Sequence, residues 1–304
     1  MSQEALFGGA LYLGCPQWAH RPWTASIFPA ESSPRDALTH YARAFNTVEG
    51  NTTFYAVPPR EVVERWASQC PPSFRLVLKL PQEVTHERLL GAGALDQALR
   101  FLAHMAPLGE RLTHTLIQLP AHFDARHFDS LYRFLSNLPR VCEESGAERH
   151  YMVELRAPSL CHPCGDGAGL FEECNALLSA TRSERVWMDT RPLRDPSAQL
   201  SEATSAARSK KPNLPVYPVG LGPHPTVRYV AHPEVEANRP WLRDWAEVFA
   251  RWIAEGRRPY FFAHYPGETL APQVASLFYQ ELRGLSAELP ERPLWPSERQ
   301  QSLF

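Results

Sequence analysis

The sequence predicts an α/β fold, a single TIM-type (β/α)8 barrel. Short apolar runs alternate with longer segments, and each run ends at or near a polar or charged residue. Strands buried on both faces have nearly continuous apolar sequences, and their alternation with helical segments is typical of a parallel sheet that closes into a barrel. The eight runs are Leu11–Gly14, Thr47–Glu49, Arg75–Lys79, Thr113–Gln118, Tyr151–Glu154, Arg185–Asp189, Thr226–Tyr229 and Pro259–His264.

Most segments between the runs have the apolar spacing of amphipathic helices. Ser33 and Pro34 are typical of the cap and first position of a helix that continues to Phe45. Residues 191–225 are the exception, because they are rich in proline and have no helical stripe, which predicts an irregular crossover. The other predicted helices cover residues 60–70, 94–105, 128–135, 169–180, 240–256 and 272–285.

Composition predicts one domain and limits its partners. A barrel accounts for all 304 residues, with a core over about 11–285 and a proline-rich C-terminal tail. The net charge of −2 argues against a protein that coats nucleic acid. No run is long enough to span a membrane and the N-terminus lacks signal-peptide features, so we expect a cytoplasmic protein with six reduced cysteines and no membrane partner. The oligomeric state stays open.

Several longer motifs are similar to a known family. They are LGCPQW, YARAFNTVEGNTTFY, FRLVLKLPQEVTH, LIQLP, VELR and FFAHYPG, spread from about residue 11 to residue 283. On these motifs the chain resembles the YecE-like family of bacterial TIM barrels, a domain of unknown function numbered seventy-two. The resemblance implies the barrel over nearly the whole chain. A relationship of the family to metal-dependent barrel nucleases has been suggested on fold similarity, which is a weak argument for function.

The chain departs from the family pattern at two places. The family usually has two asparagines at the end of its last strand, where this chain has Ala263–His264. It also tends to have an aromatic residue soon after the E-x-R motif, where this chain has the loop SLCHPCGDG.

The ends of the runs predict the position of a functional site, because barrel sites lie at the carboxyl ends of the strands. Carboxylates and imidazoles transfer protons, lysine and arginine bind phosphate or carboxylate, and aromatic rings stack on sugars or bases. The candidate catalytic residues are Glu49, His86, Glu154 and Asp189. The candidate ligand-binding residues are Trp18, Asn51, Tyr55, Lys79, Gln118, Arg156, Arg228 and His264.

Purely structural interpretations of the charged residues remain open. Glu49 is equally able to form an ion pair with Lys79 or Arg156. Glu154 and Arg156 point to the same side of a strand, so they form either a functional or a structural pair.

The predicted function is an enzyme that acts on a polar anionic ligand, a phosphorylated sugar or a nucleic-acid fragment. Carboxylate or histidine acid–base chemistry would then serve a phosphoester hydrolase or a sugar-processing enzyme. The alternatives are a non-catalytic binding barrel and a metal-dependent nuclease. No nucleotide-cofactor motif occurs. The ligand types would suit a divalent metal, but tight ligand spacing is absent, so no metal site is predicted. The Cys161–Cys164 loop is predicted to hold free surface thiols without zinc.

Overall fold

The protein, seen in a computed structural model that describes residues 3–143, 145–163, 165 and 168–301, contains eight parallel strands. The strands are β1 Tyr12–Gly14, β2 Thr47–Gly50, β3 Arg75–Lys79, β4 His114–Gln118, β5 His150–Glu154, β6 Ser183–Asp189, β7 Thr226–Val230 and β8 Tyr260–His264. Their order in the sheet is β1-β8-β7-β6-β5-β4-β3-β2, so neighbours in sequence are neighbours in space. The predicted α/β barrel is confirmed.

The junction between β1 and β2 closes the barrel. The N–H of Glu49 donates a hydrogen bond to the carbonyl of Cys15 at 3.0 Å. The side-chain oxygen of Asn46 accepts the N–H of Leu13 at 2.8 Å and adds a second link. Gly14 is needed at this contact, because a Cβ there would lie 2.1 Å from a carbonyl oxygen of β2.

Helices connect the strands and cover the outside of the sheet. They are α1 Ala37–Ala44, α2 Thr52–Tyr55, α3 Arg60–Gln69, α4 Ala94–His104, α5 Phe128–Asn137, α6 Ala168–Ala180, α7 Glu202–Lys210, α8 Arg239–Ala254, α9 Ala271–Leu285 and α10 Pro296–Gln301. A 3-10 turn, Pro34–Asp36, precedes α1. None of the described helices is both long enough and apolar enough to cross a membrane.

The proline-rich crossover of residues 191–225 contains α7, a nine-residue helix that the sequence did not predict. Thr204 is its only buried residue. A helix without an apolar face leaves no periodic signal in the sequence, which explains why α7 was missed. The remainder of the crossover is irregular apart from a short 3-10 turn, Pro192–Arg194.

The barrel interior is filled in layers. The middle layer is an apolar cluster of Tyr12, Val77, Leu116, Met152, Val186, Tyr260 and Phe262. Side chains two positions further along a strand point to the same side and lie one layer nearer the carboxyl ends. In this upper layer Lys79, Gln118 and Glu154 replace apolar residues. The apolar layer therefore lies directly beneath the polar residues at the carboxyl ends of the strands.

The cysteines of the described chain are buried. Cys15, Cys70, Cys161 and Cys174 are unpaired thiols, and Cys142 is buried as well. The predicted surface position of Cys161 is wrong: Leu160 and Cys161 turn inward after β5, and the Cys161 side chain is 4% exposed. Cys164 lies outside the described residues.

We expect a thiol titration of the denatured protein to find six groups, because the sequence contains six cysteines without export features. In the native protein the buried thiols should react far more slowly, since burial also raises the pKa of Cys70 and Cys174 to about 11. Fewer than six groups after denaturation without reductant would show that a disulfide had formed.

Candidate functional site

A cavity of about 530 Å³ opens at the carboxyl ends of the strands. We call it the mouth cavity. Its volume is typical of a pocket for a small ligand. The mouth cavity is lined by Pro16, Gln17, Asn51, Phe54, Tyr55, Lys79, His86, Gln118, Arg156, Lys210, Lys211, Arg228, His264 and Glu268.

Arg228 at the centre of β7 joins two buried carboxylates beneath the mouth cavity. Its Nε and Nη2 donate to the two oxygens of Glu49 at 2.6 and 2.7 Å. Its Nη1 donates to Glu154. Both carboxylates are fully buried, and the guanidinium is 1% exposed. The predicted polar residues of β2, β5 and β7 therefore do converge, and they form a buried ion-pair network.

A second set of contacts extends this network towards the ligand space. Lys79 donates from Nζ to Oε1 of Gln118 at 2.8 Å and lies 3.6 Å from Glu49. Arg156 donates to the same Gln118 oxygen at 3.0 Å and to Glu154 at 2.5 Å. Glu154 and Arg156 form an ion pair in the structure, and Arg156 also lines the mouth cavity, so its predicted role in ligand binding stays a prediction.

Burial and charge set the protonation states of this network. Burial raises the pKa of Glu154, but the charges of Arg156, Arg228 and Lys79 outweigh it and bring the pKa down to about 2. Burial acts in the same way on Glu49, and Arg228 with His264 and Lys79 holds its pKa well below the usual range. Burial and Arg228 lower the pKa of Lys79 to about 7. The carboxylates therefore stay ionised, and Lys79 exchanges its proton near neutral pH.

Three charged groups of the mouth cavity were missed by sequence reasoning: Lys210, Lys211 and Glu268. The ammonium of Lys211 lies 3.4 Å from Nδ1 of His264, whose Nε2 faces Glu49 at 3.3 Å. Glu268 lies 3.8 Å from the same Nδ1. The lysines end α7 inside the proline-rich crossover, and their only sequence signal is the adjacent pair of basic residues.

The wall opposite α7 is aromatic and carries His86. The His86 ring packs edge-on against Phe54 at 5.0 Å between centroids, and Lys79 lies over the same Phe54 ring at 5.8 Å. Nδ1 of His86 pairs with the hydroxyl of Thr85 at 2.9 Å. Tyr55 at the rim is 75% exposed. Burial lowers the pKa of His86, and Arg156 contributes in the same direction, so its imidazole is neutral at pH 7.

Asn51 lines the mouth cavity as predicted and is anchored by its side-chain nitrogen, which donates to the carbonyl of Pro16 at 2.8 Å. Trp18 was predicted to bind ligand but does not line the cavity; its ring packs edge-on against Trp66 of α3 at 5.1 Å. An aromatic residue that follows a barrel strand is as well suited to packing under a helix as to stacking on a ligand.

Asp189 was predicted to converge with the other strand ends, and this is wrong. It is fully buried on the helix side of β6, where it accepts hydrogen bonds from Trp245 at 2.8 Å and from Arg191. Val186 belongs to the interior layer, and alternation along the strand therefore turns Met188 inward and Asp189 outward. The prediction assumed that Asp189, the last residue of the run, faces the barrel interior.

The ionisable groups in and beneath the mouth cavity carry an excess of positive charge. When the lysines, arginines and carboxylates are ionised and the histidines are neutral, five cations exceed three carboxylates by two: Lys79, Arg156, Lys210, Lys211 and Arg228 against Glu49, Glu154 and Glu268. Glu49 and Glu154 are already engaged by Arg228. The arrangement is therefore suited to an anion.

The family model described as "Protein of unknown function DUF72" matches residues 12–300. The chain belongs to the DUF72 family. It is 34% identical over 295 residues to the UPF0759 protein YecE of Escherichia coli K12, covering 97% of this chain and all of that protein. It is 27% identical over 129 residues to the UPF0759 protein YunF of Bacillus subtilis 168, covering 40% and 44% of the two chains.

Solved DUF72 structures share the fold. A DUF72 family protein of Enterococcus faecalis V583 aligns with a TM-score of 0.62 at 18% identity, over 93% of this chain and 99% of that one. A DUF72 family protein of Thermotoga maritima MSB8 aligns with a TM-score of 0.60 at 19% identity, over 91% and 99%. At this identity the likeness concerns the barrel fold alone.

Proposed function

We propose that this DUF72 barrel is an enzyme that binds a small phosphate ester in the mouth cavity and hydrolyses it. One observation carries the proposal: Lys79, Arg156 and Lys211 line a single cavity above two carboxylates that already accept hydrogen bonds from Arg228. A cavity with surplus positive charge and few competing internal anions favours a ligand with a compact negative charge.

The dimensions and walls of the cavity favour an ester over free phosphate. About 530 Å³ accommodates a sugar phosphate or a mononucleotide, with room beyond the phosphate itself. Phe54 and the exposed ring of Tyr55 supply flat apolar surface at the rim. Sugars and nucleobases stack on such rings. The phosphate would then lie against the lysines and Arg156, and the organic part against the aromatic wall.

His86 and Lys79 supply the acid–base chemistry that hydrolysis needs. Neutral His86 accepts a proton from a water molecule, whose oxygen attacks phosphorus. The bond from phosphorus to the ester oxygen breaks, and that oxygen takes a proton from the Lys79 ammonium, whose pKa of about 7 suits a general acid. Arg156 and Lys211 stabilise the charge on the remaining phosphate oxygens. Glu49 and Glu154, predicted as catalytic, act here by positioning Arg228 and Lys79.

The anion site is tested with sulfate, which stays a dianion across the relevant pH range. Replacing Lys79 with alanine should weaken sulfate binding by about 1.5–3 kcal/mol, the value for a hydrogen bond to a charged group. This corresponds to roughly a 10- to 150-fold higher Kd in a calorimetric titration. The fold should survive, because Gln118 keeps Arg156 and Glu49 keeps Arg228 as partners.

Arg100→Ala is the control, because this exposed arginine of α4 does not line the mouth cavity and should leave the affinity unchanged. Sulfate affinity of the wild type should fall as pH rises through about 7 and then 8, where Lys79 and Lys211 lose their protons. Lys79→Arg should remove the first step, since arginine stays charged. Unchanged affinity in a folded Lys79→Ala protein would contradict the anion site.

A further inference from the structure

Three histidines meet at the amino-terminal end of the barrel, opposite the mouth cavity. His114 and His150 are the first residues of β4 and β5 and are paired in the sheet register. His224 stands two residues before β7. Because the amino ends of parallel strands meet at one edge, the three rings come together although they are far apart in sequence. We call them the histidine cluster.

The rings are close enough to share one ion. Their centroids are separated by 4.6 to 4.7 Å, with His114 and His150 stacked and His224 edge-on to both. One ring nitrogen from each residue lies within 4.8 Å of the other two. Among the described residues this is the only group of histidine, cysteine, aspartate and glutamate side chains with ligand atoms so placed.

We propose that His114, His150 and His224 form a binding site for Zn²⁺, with water as the fourth ligand. Zinc–nitrogen bonds of about 2.0–2.1 Å place tetrahedral ligand nitrogens about 3.3 Å apart. The ligand nitrogens, which lie within 4.8 Å of one another, therefore need to approach by up to about 1.5 Å on binding, through side-chain rotation. Three histidines with an open fourth position are a common zinc coordination set, and imidazole suits this metal.

The Nε2 atom of His114 is free to bind a metal ion. His114 is 3% exposed, and its Nε2 has no hydrogen-bond partner among the described residues, although buried polar atoms are normally paired. Its Nδ1 pairs with the hydroxyls of Thr113 at 2.8 Å and Tyr260 at 3.0 Å. An unpartnered buried nitrogen held in place by its other ring atom is what a metal ligand requires before the metal binds.

His224 shows the same arrangement. Its Nδ1 donates to the carbonyl of Arg258 at 3.0 Å, which leaves the lone pair on Nε2 free. Metal-binding histidines commonly donate their second nitrogen to a backbone carbonyl in this way. The backbone N–H of His224 also donates to Glu184 at 2.9 Å, which fixes the residue against β6. No hydrogen bond to the His150 ring is recorded among the described residues.

Burial favours the neutral form of the three rings, and only a neutral imidazole binds a metal ion. Burial lowers the pKa of His224 to about 4, and it lowers the pKa of His114 and His150 as well. Arg75 and Arg258 contribute further lowering at His114. Their positive charge reduces the affinity for a cation, but it also favours a hydroxide over a water molecule as the fourth ligand.

The experiment uses the full-length, tag-free protein, stripped with chelator and titrated with Zn²⁺ in a calorimeter. We expect one ion per chain. His150→Asn and His224→Asn should each weaken binding more than about tenfold, the lower limit for loss of even an outer-shell partner. His162→Asn is the control, because this exposed histidine belongs to the cysteine-rich loop and not to the cluster. Circular dichroism verifies that each variant is folded.

Co²⁺ substitution identifies the ligands independently of affinity. Tetrahedral Co²⁺ with three imidazoles should give visible d–d bands without a thiolate charge-transfer band, and His224→Asn should abolish those bands. His150→Asn serves as a second variant, because replacing a half-buried side chain disturbs folding less than replacing a buried one. Absence of Zn²⁺ binding by the wild type, unchanged binding in both folded variants, or a thiolate band would each overturn the proposal. Sulfate binding at the mouth cavity is separate and is unaffected by these outcomes.

Discussion

Replacing Arg228 with alanine is expected to destabilise the protein by about 3–5 kcal/mol, the loss measured when one partner of a buried ion pair is removed. Glu49 and Glu154 would keep their buried positions but lose the guanidinium that binds three of their four oxygens. Lys79 cannot fully replace it, since its ammonium reaches only one of these carboxylates within ion-pair distance. Urea unfolding at pH 7 measures the difference in unfolding free energy.

Arg126→Ala is the matched control for this experiment. Arg126 also forms a bidentate pair, with Asp124, but the arginine side chain is 82% exposed. Solvent screens exposed pairs, so this variant should be close to the wild type. An equally small effect for Arg228→Ala would contradict the buried network.

The cause of the loss is tested by removing the carboxylate charges as well. In the triple variant Glu49→Gln, Glu154→Gln and Arg228→Met, both buried carboxylates and the guanidinium are removed together, and Lys79 keeps its hydrogen bond to Gln118. Most of the lost stability should therefore return. A triple variant no more stable than Arg228→Ala would mean that lost packing, and not an unpaired charge, explains the effect.

The same network makes a prediction about acid. The pKa of Glu154 is about 2 in the folded protein and has its ordinary value of 4.5 when unfolded. A group with a lowered folded pKa stabilises the fold above its unfolded pKa, and this contribution is lost as pH falls from about 4.5 to about 2. The wild type should therefore lose stability over this window. The difference between wild type and Arg228→Ala should shrink there, because protonated carboxylates no longer need the arginine.

The barrel was predictable because its signal is local and repeated. Each buried strand produces its own apolar run, and a strand such as Thr226–Val230 differs from its predicted bounds by one residue. The positions of Glu49, Lys79 and Arg228 could be predicted from the strands, because these residues lie at or near strand ends. The helix α7 could not be predicted in this way, because it buries only Thr204 and therefore has no apolar face that the sequence would reveal.

The errors at the site have two physical causes. A strand buried on both faces shows no alternation of polar and apolar residues, so the sequence does not tell which of Met188 and Asp189 faces inward. Lys211 reaches the cavity through a long crossover whose path no local pattern fixes. A prediction from the carboxyl ends of the strands does not extend to the histidine cluster, because His114 and His150 are the first residues of their strands.

The chemical step of the proposed function predicts a further large effect, at His86. Replacing His86 with glutamine should lower kcat for phosphate-ester hydrolysis by about 10²–10⁴-fold, the usual contribution of a general base. KM should change little, because the phosphate is bound by Lys79, Arg156 and Lys211. Hydrolysis of p-nitrophenyl phosphate and of bis(p-nitrophenyl) phosphate measures the effect and distinguishes monoesters from diesters.

The pH profile shows whether His86 acts as the base or only lines the wall. Burial and Arg156 lower its pKa below 6.5, so the acid limb of the wild-type kcat profile should lie below that pH and should disappear in His86→Gln. His122→Gln is the control, because this exposed histidine interacts electrostatically with His86 without lining the mouth cavity. A wild type that binds sulfate and hydrolyses neither ester would contradict hydrolysis of these ester classes and favour a non-catalytic binding barrel. A His86→Gln protein with an unchanged acid limb would assign the base to another residue, and His264, whose Nε2 is committed to Glu49, is too buried to take its place without rearrangement.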